Sequence, residues 1–234
     1  MNARERLIVA LDVPKADAAR ALVDGLSGHV GLFKVGNQIF TAAGPDLVRE
    51  IVARGEKVFL DLKFHDIPNT VAGAVASASR LGVSLVDVHG LGGRAMVEAA
   101  VGALPAMGVR LLAITILTSH DEDTLGEIGV NGSMAESVRR LAQLAKEAGA
   151  DGVVASPHEV AVVREACGSD FLIVTPGIRP AGASALDQAR AATPKAALSA
   201  GADYLVVGRP ITEAVDPAAA ADAIVREMET ALRP

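Results

Sequence analysis

Asp61 and Lys63 stand two residues apart in FLDLKFHDIPNT (59–70), and Asp66 follows three residues later. A carboxylate beside an ammonium keeps the lysine protonated, and a lysine so held can stabilise a developing negative charge and then donate a proton. A structural ion-pair network has the same spacing, so the pattern alone admits both readings. A second group of residues suits a different task. Arg179 and Gln188 lie in PGIRPAGASALDQAR (176–190), and Gly208 and Arg209 lie in VVGRPI (206–211). Glycine lets the backbone approach closely and arginine offers a planar fork matched to phosphate oxygens, so both segments read as phosphate loops.

The elements that must carry these residues follow from hydropathy. Apolar, β-rich runs recur at 6–13, 31–36, 57–64, 85–90, 110–117, 152–156, 171–178 and 204–211. Helical, alanine-rich stretches separate them at 15–26, 42–54, 68–80, 93–106, 134–148, 158–166, 193–200 and 216–232, several closed by glycines such as Gly55, Gly82, Gly149 and Gly201. Eight βα units imply an α/β fold, a (β/α)8 TIM barrel forming one domain over residues 1–234, with a doubly wound open sheet as the alternative. In such a barrel the chemistry sits at the C-terminal strand ends, where Asp12, Lys34, Asp61, Lys63, Asp87, His89, Thr118, Ser156, Thr175 and Arg209 fall. Strand alternation turns Asp61 and Lys63 inward, away from Leu60, Leu62 and Phe64, with Lys34 of the neighbouring strand in reach. Pro68 suits the first position of the next helix, placing Asn69 and Thr70 in its first turn.

Composition narrows the function classes. A net charge of −6 argues against general nucleic-acid or anionic-membrane binding, while leaving room for a local basic pocket. Cys167 is the single cysteine and reads as a buried, inert thiol. No signal-peptide core or membrane-length apolar run is present, so a cytoplasmic protein is expected. His29, His65, His120 and His158 show no ligand spacing, which disfavours a metal site. His89 and Ser156 are candidates only for supporting roles at the rim.

The motif D-x-K-x-x-D in DLKFHD, joined to IPNT, resembles the orotidine 5′-phosphate decarboxylase family. ALD (10–12), FKVG (33–36), VHGLGG (88–93), LTS (117–119), PGIRP (176–180), DQ (187–188) and VGRPI (207–211) agree with that family in order and over nearly the whole length. The resemblance implies decarboxylation of orotidine 5′-monophosphate to UMP with no cofactor and no metal. It implies that Lys63 protonates C6, within a catalytic tetrad of Lys34, Asp61, Lys63 and Asp66. It assigns Asp12 to the ribose hydroxyls and Thr118 to the pyrimidine, leaving the phosphate to Arg179, Gln188, Gly208 and Arg209 of the two loops read above. It also implies a homodimer in which Asp66 and Thr70 reach the partner's site. The rival readings are an Mg²⁺-dependent sister enzyme, a hexulose-phosphate synthase or ketogulonate-phosphate decarboxylase, and a phosphate-ligand barrel without catalysis.

Overall fold

Alternation of glycine-closed helices with short β-branched runs requires each run to bury both faces, which a closed sheet does with one face inside the barrel and the other under a helix. The computed structural model describes residues 1–106, 108–180 and 192–232. Its strands are β1 (Leu7–Ala10), β2 (Leu32–Gly36), β3 (Val58–Phe64), β4 (Leu85–His89), β5 (Arg110–Ile114), β6 (Gly152–Val154), β7 (Leu172–Thr175) and β8 (Tyr204–Val207). All pair in parallel in sequence order, and β8 returns to β1, closing the barrel. The fold is the expected (β/α)8 barrel. Around it lie α1 (Ala16–Leu26), α2 (Asn37–Ala53), α3 (Pro68–Ser79), α4 (Gly93–Gly102), α5 (Glu122–Glu127), α6 (Met134–Glu147), α7 (Val160–Cys167), α8 (Pro194–Ser199), α9 (Arg209–Thr212) and α10 (Pro217–Leu232). Among the described residues no helix is long and apolar enough to cross a membrane.

Local chemistry fixes the ends. Pro68 is the first residue of α3, where its missing N–H removes no helical bond. Ser133 and Glu136 form a capping box at the start of α6. Gly55, Gly82, Gly149 and Gly201 all follow helices at positive φ, between 82 and 107°.

Several expectations need correction, these among them. The helix expected at 42–54 begins at Asn37, because Gly44 (φ 68°) joins two helical pieces, the second starting at Pro45. The strand expected to 117 ends at Ile114, and Ile116, Leu117 and Thr118 wall a cleft instead of extending the sheet. The strand expected at 204–211 ends at Val207; Gly208 caps α9, in which Arg209 and Pro210 are the first two residues. The short α5 was not expected, and its signal is local: Asp121 accepts a bond from the Thr124 N–H at 2.9 Å.

Two apolar layers result. Outward residues such as Val9, Phe33, Leu60, Val86 and Ile173 pack under the helices. Inward residues Ile8, Leu32, Phe59, Leu85, Leu112, Val174 and Tyr204 fill the barrel. Burying one such Phe or Leu side chain contributes about 1.5–3 kcal/mol.

Arg164 ties the strands that carry the basic loops. Its guanidinium donates to the carbonyls of Gly168 (2.7 Å), Phe171 (2.8 Å) and Gly201 (2.6 Å) and to Asp203 Oδ2 (2.8 Å), which also accepts from the Ile173 N–H at 2.9 Å. The starts of β7 and β8 are thereby fixed to the end of α7. Arg164→Ala strands several carbonyls and a part-buried carboxylate, and is expected to lower unfolding stability by about 3 kcal/mol in a urea titration. A shift below about 0.5 kcal/mol, the range of an ordinary surface substitution, would contradict this role.

Candidate active site

Inward positions recur every second residue, so each residue of the apolar floor has a successor two positions higher. Ala10 leads to Asp12, Leu32 to Lys34, Phe59 to Asp61 and Leu85 to Asp87. A charged layer thus sits directly on a dry one. Above it opens a cleft of about 420 Å³, lined by Asp12, Lys34, Asp61 and Lys63 together with Thr118, Arg179, Gly208 and Arg209.

Lys34 Nζ lies 3.1 Å from both Asp12 Oδ1 and Asp61 Oδ2, and Lys63 Nζ closes on the other Asp61 oxygen. Burial pulls the Lys34 ammonium down, but the charges of Asp61 and Asp12 outweigh it and raise its pKa. Burial likewise pushes Asp61 up, but Lys34, a hydrogen bond from Asp87 and Lys63 hold it at about 2. Asp61 is therefore ionised at neutral pH. Side-chain exposure separates the two lysines: 33% for Lys63 against 11% for Lys34, so Lys63 presents the ammonium a ligand can reach.

Simple alternation does not account for the backbone at Lys63. Between Leu60 and Phe64, β3 uses four residue steps where β4 uses two, from Val86 to Val88. Lys63 sits in this bulge with φ 51°, the one positive φ among the described non-glycine residues. The left-handed conformation costs a non-glycine residue about 1–2 kcal/mol. Its N–H donates to Asp87 Oδ1 at 2.8 Å, so an aspartate side chain replaces the missing ladder partner. Asp87 is fully buried, and burial followed by the charge of Asp61 pushes its carboxyl well above the usual range. Sequence spacing placed Asp87 at the rim without a role; its contact with the Lys63 backbone depends on the bulge, which no residue type announces.

The remaining candidates divide. Arg179 is buried rather than a solvated loop charge, and its Nη1 donates to the Ile178 carbonyl at 3.0 Å. Thr175 is not at the rim: it follows the inward Val174, is fully buried and is absent from the cleft lining. Ser156 Oγ accepts from the His158 N–H at 3.4 Å and caps a short turn. His89 stacks on His65 at 5.3 Å, and burial, then His65, Lys63 and His120, lower its pKa to about 4, leaving it neutral at physiological pH. Asp66 and Thr70 are exposed and lie outside the cleft lining of this chain. Gln188 lies outside the described residues. Glu213 and Thr212 of the α9 region also line the cleft and were not singled out by sequence, because polar residues after a strand end carry no distinguishing pattern. Cys167 is buried, as its setting implied.

A family model described as orotidine 5′-phosphate decarboxylase / HUMPS family matches residues 5–224. The chain belongs to this family. Among curated relatives, the orotidine 5′-phosphate decarboxylase of Moorella thermoacetica is 54% identical over 98% of this chain and 94% of its own. That of Halorhodospira halophila is 58% identical over 97% of each. The crystal structure of orotidine 5′-phosphate decarboxylase from Lactobacillus acidophilus has a TM-score of 0.85 at 43% identity, covering 95% of this chain and 98% of that one.

Within this family member, Gly36 marks how tightly the charged layer is packed. A Cβ at Gly36 would lie 2.8 Å from Lys34 Nζ and 3.1 Å from Asp12 Oδ1. The backbone there (φ −96°) admits any residue, so the conflict falls on the Lys34 ammonium and, less severely, on its Asp12 partner. Gly36→Ala is expected to unfold within about 1 kcal/mol of the wild type while turnover of orotidine 5′-phosphate, the substrate in its relatives' names, falls about tenfold. Steady-state kinetics beside a denaturation curve checks both, and unchanged turnover would show that Lys34 has room to move.

Proposed function

We propose that this protein decarboxylates orotidine 5′-monophosphate to UMP, as a single catalytic domain over residues 1–234 that works as a cytoplasmic homodimer without cofactor or metal. The observation that carries the reading is the contact chain Lys34, Asp61, Lys63 in the same cleft as Arg179 and Arg209. The identity of the relatives supports it, since the family model's description alone spans more than one activity.

The reaction breaks the bond between C6 and its carboxylate, leaving the electron pair on C6 as CO2 departs. No adjacent carbonyl delocalises that pair, so preorganised charge must stabilise it. An ammonium at C6 interacts more strongly with the carbanion than with the starting carboxylate, which is the condition for lowering the barrier. Lys63 then transfers a proton from Nζ to C6 and regains one from solvent. Asp61 sits beside the substrate carboxylate and fixes Lys63, and Lys34 neutralises Asp61 from below. Asp66 completes the tetrad from the partner subunit's chain and Thr70 enters with it; the exposure of both, away from their own cleft, is consistent with that placement.

Substrate binding spans the barrel mouth. β3 and β7 are four strands apart in a closed ring of eight, so Lys63 and Arg179 face each other across it. Arg179, Arg209, the Gly208 backbone and Gln188 hold the phosphate, Asp12 accepts from the ribose hydroxyls and Thr118 meets the pyrimidine. The Mg²⁺-dependent alternative is disfavoured by the seat of Lys34: its ammonium already fills the space between Asp12 and Asp61.

The ultraviolet change from orotidine monophosphate to UMP provides the assay. Lys63→Ala is expected to lower kcat by about 10⁴-fold or more with the dimer retained, since it removes both an electrostatic and a proton-donor contribution; undiminished turnover would sink the assignment. Activity should survive EDTA, whereas loss restored by Mg²⁺ would favour the sister enzyme. Mixed dimers of Lys63→Ala and Asp66→Ala subunits should regain activity through hybrid sites, and no recovery despite proven exchange would refute the shared site.

A further inference from the structure

Asp87 does not line the cleft, yet it is the most deeply buried ionisable group beside it, with no exposed surface. One of its oxygens, Oδ1, accepts the Lys63 N–H at 2.8 Å. The other, Oδ2, is buried with no hydrogen-bond donor among the described residues. Asp61, which faces inward from the adjacent strand β3, is the charge that, after burial, most strongly pushes the Asp87 carboxyl up. Two carboxylate oxygens facing each other have no proton between them unless one acid is protonated, and a buried pair of like charges resolves the conflict by keeping one proton. Asp61 already has two ammonium partners, Lys34 and Lys63. The proton therefore belongs on Asp87, where one oxygen accepts from Lys63 N–H and the other donates to Asp61.

We propose that Asp87 is a positioning residue: a neutral acid that holds the Lys63 backbone in its left-handed bulge and orients Asp61, so that the Lys63 ammonium and its carboxylate partner stand in fixed register. The inference rests on the decarboxylase reading for its kinetic consequence, and on backbone geometry alone for its structural one. Three observations converge on it. The bulge removes the regular ladder partner of Lys63, the conformation at Lys63 is one that lysine seldom adopts, and a single side chain on the adjacent strand supplies the replacement bond. Asparagine can reproduce both bonds of a neutral acid, accepting through its carbonyl oxygen and donating through its amide. Alanine can reproduce neither.

Asp87→Asn is expected to keep kcat within about threefold of the wild type, whereas Asp87→Ala lowers kcat about 100-fold, the cost of a misplaced reacting group, with KM changed far less. Crystal structures of both variants without ligand should keep Lys63 at positive φ for Asn and release it for Ala. A pH series adds a readout that packing alone does not move. The charged groups acting on Asp87 are Asp61 and Lys63 of β3, and β5 sets Leu112 opposite it. Its folded pKa is raised, so its contribution to stability is full below the ordinary aspartate range and is lost as pH rises toward the folded value. The thermal midpoint of Asp87→Asn should thus exceed that of the wild type by a margin that widens from about pH 4 to about pH 7. Wild-type kcat in Asp87→Ala, equal damage in Asn and Ala, or a margin independent of pH would each overturn the proposal. If the wild-type protein does not turn over orotidine monophosphate, the decarboxylase reading fails, and the Lys63 backbone in the two variants still decides the positioning role.

Discussion

Two ammonium groups and the carboxylates between them are held on an apolar floor inside a closed sheet, and the rest of the structure answers to that constraint. Removing a charge from water is costly, and the cost is offset only if every member of the network finds its partner. Lys34 meets Asp12 and Asp61, and Asp61 meets Lys63 as well. Deleting one member leaves another uncompensated, so the network cannot be assembled piecemeal. Inside the closed barrel, the apolar floor of Leu32, Phe59 and Leu85 keeps the dielectric low beneath the charges. The same desolvation that makes the layer expensive strengthens its field at the cleft.

Topology then distributes the tasks around the ring. The charged layer rises from β1 to β4, while Arg179 and Arg209 come from the ends of β7 and β8. A ligand with an anionic group at each end can span the mouth, meeting ammonium groups on one side and guanidinium groups on the other. The second side depends on Arg164 and Asp203 below it, which fix where β7 and β8 begin and therefore where their loops emerge. Site geometry at the top of the barrel is set in part by ion pairing at its base.

Much of this was legible in residue order because it depends on periods. The two-residue period of strands foretold that Lys34 and Asp61 share an interior, and the count of eight βα units foretold closure. Pro68 marked its helix start by a property of its ring. What periods do not record is interruption. The bulge at Lys63 keeps a strand-like composition, and the step from β8 into α9 at Gly208 occurs inside an apolar run, so both passed as regular strand. Ile116 and Leu117 read as strand for the same reason: apolar residues that wall a cleft and apolar residues that continue a sheet have the same hydropathy. Arg179 was recognised by type, but its burial follows from tertiary packing that its loop sequence does not encode.

The charge balance explains why a neutral acid suits the place beside Lys63. Within this chain, Lys34 and Lys63 are balanced by Asp12 and Asp61. An ionised Asp87 would tip that balance negative under a site that must receive an anion, and it would compete with Asp61 for the same ammonium. A backbone N–H needs an acceptor, however, and at the bulge an Asp87 side-chain oxygen provides it. A protonated carboxyl meets both demands: it accepts from the strained residue and donates to the carboxylate that must stay charged, without adding to the field. The unusual conformation of Lys63 and the unusual protonation of Asp87 are then two parts of one arrangement, each making the other tenable.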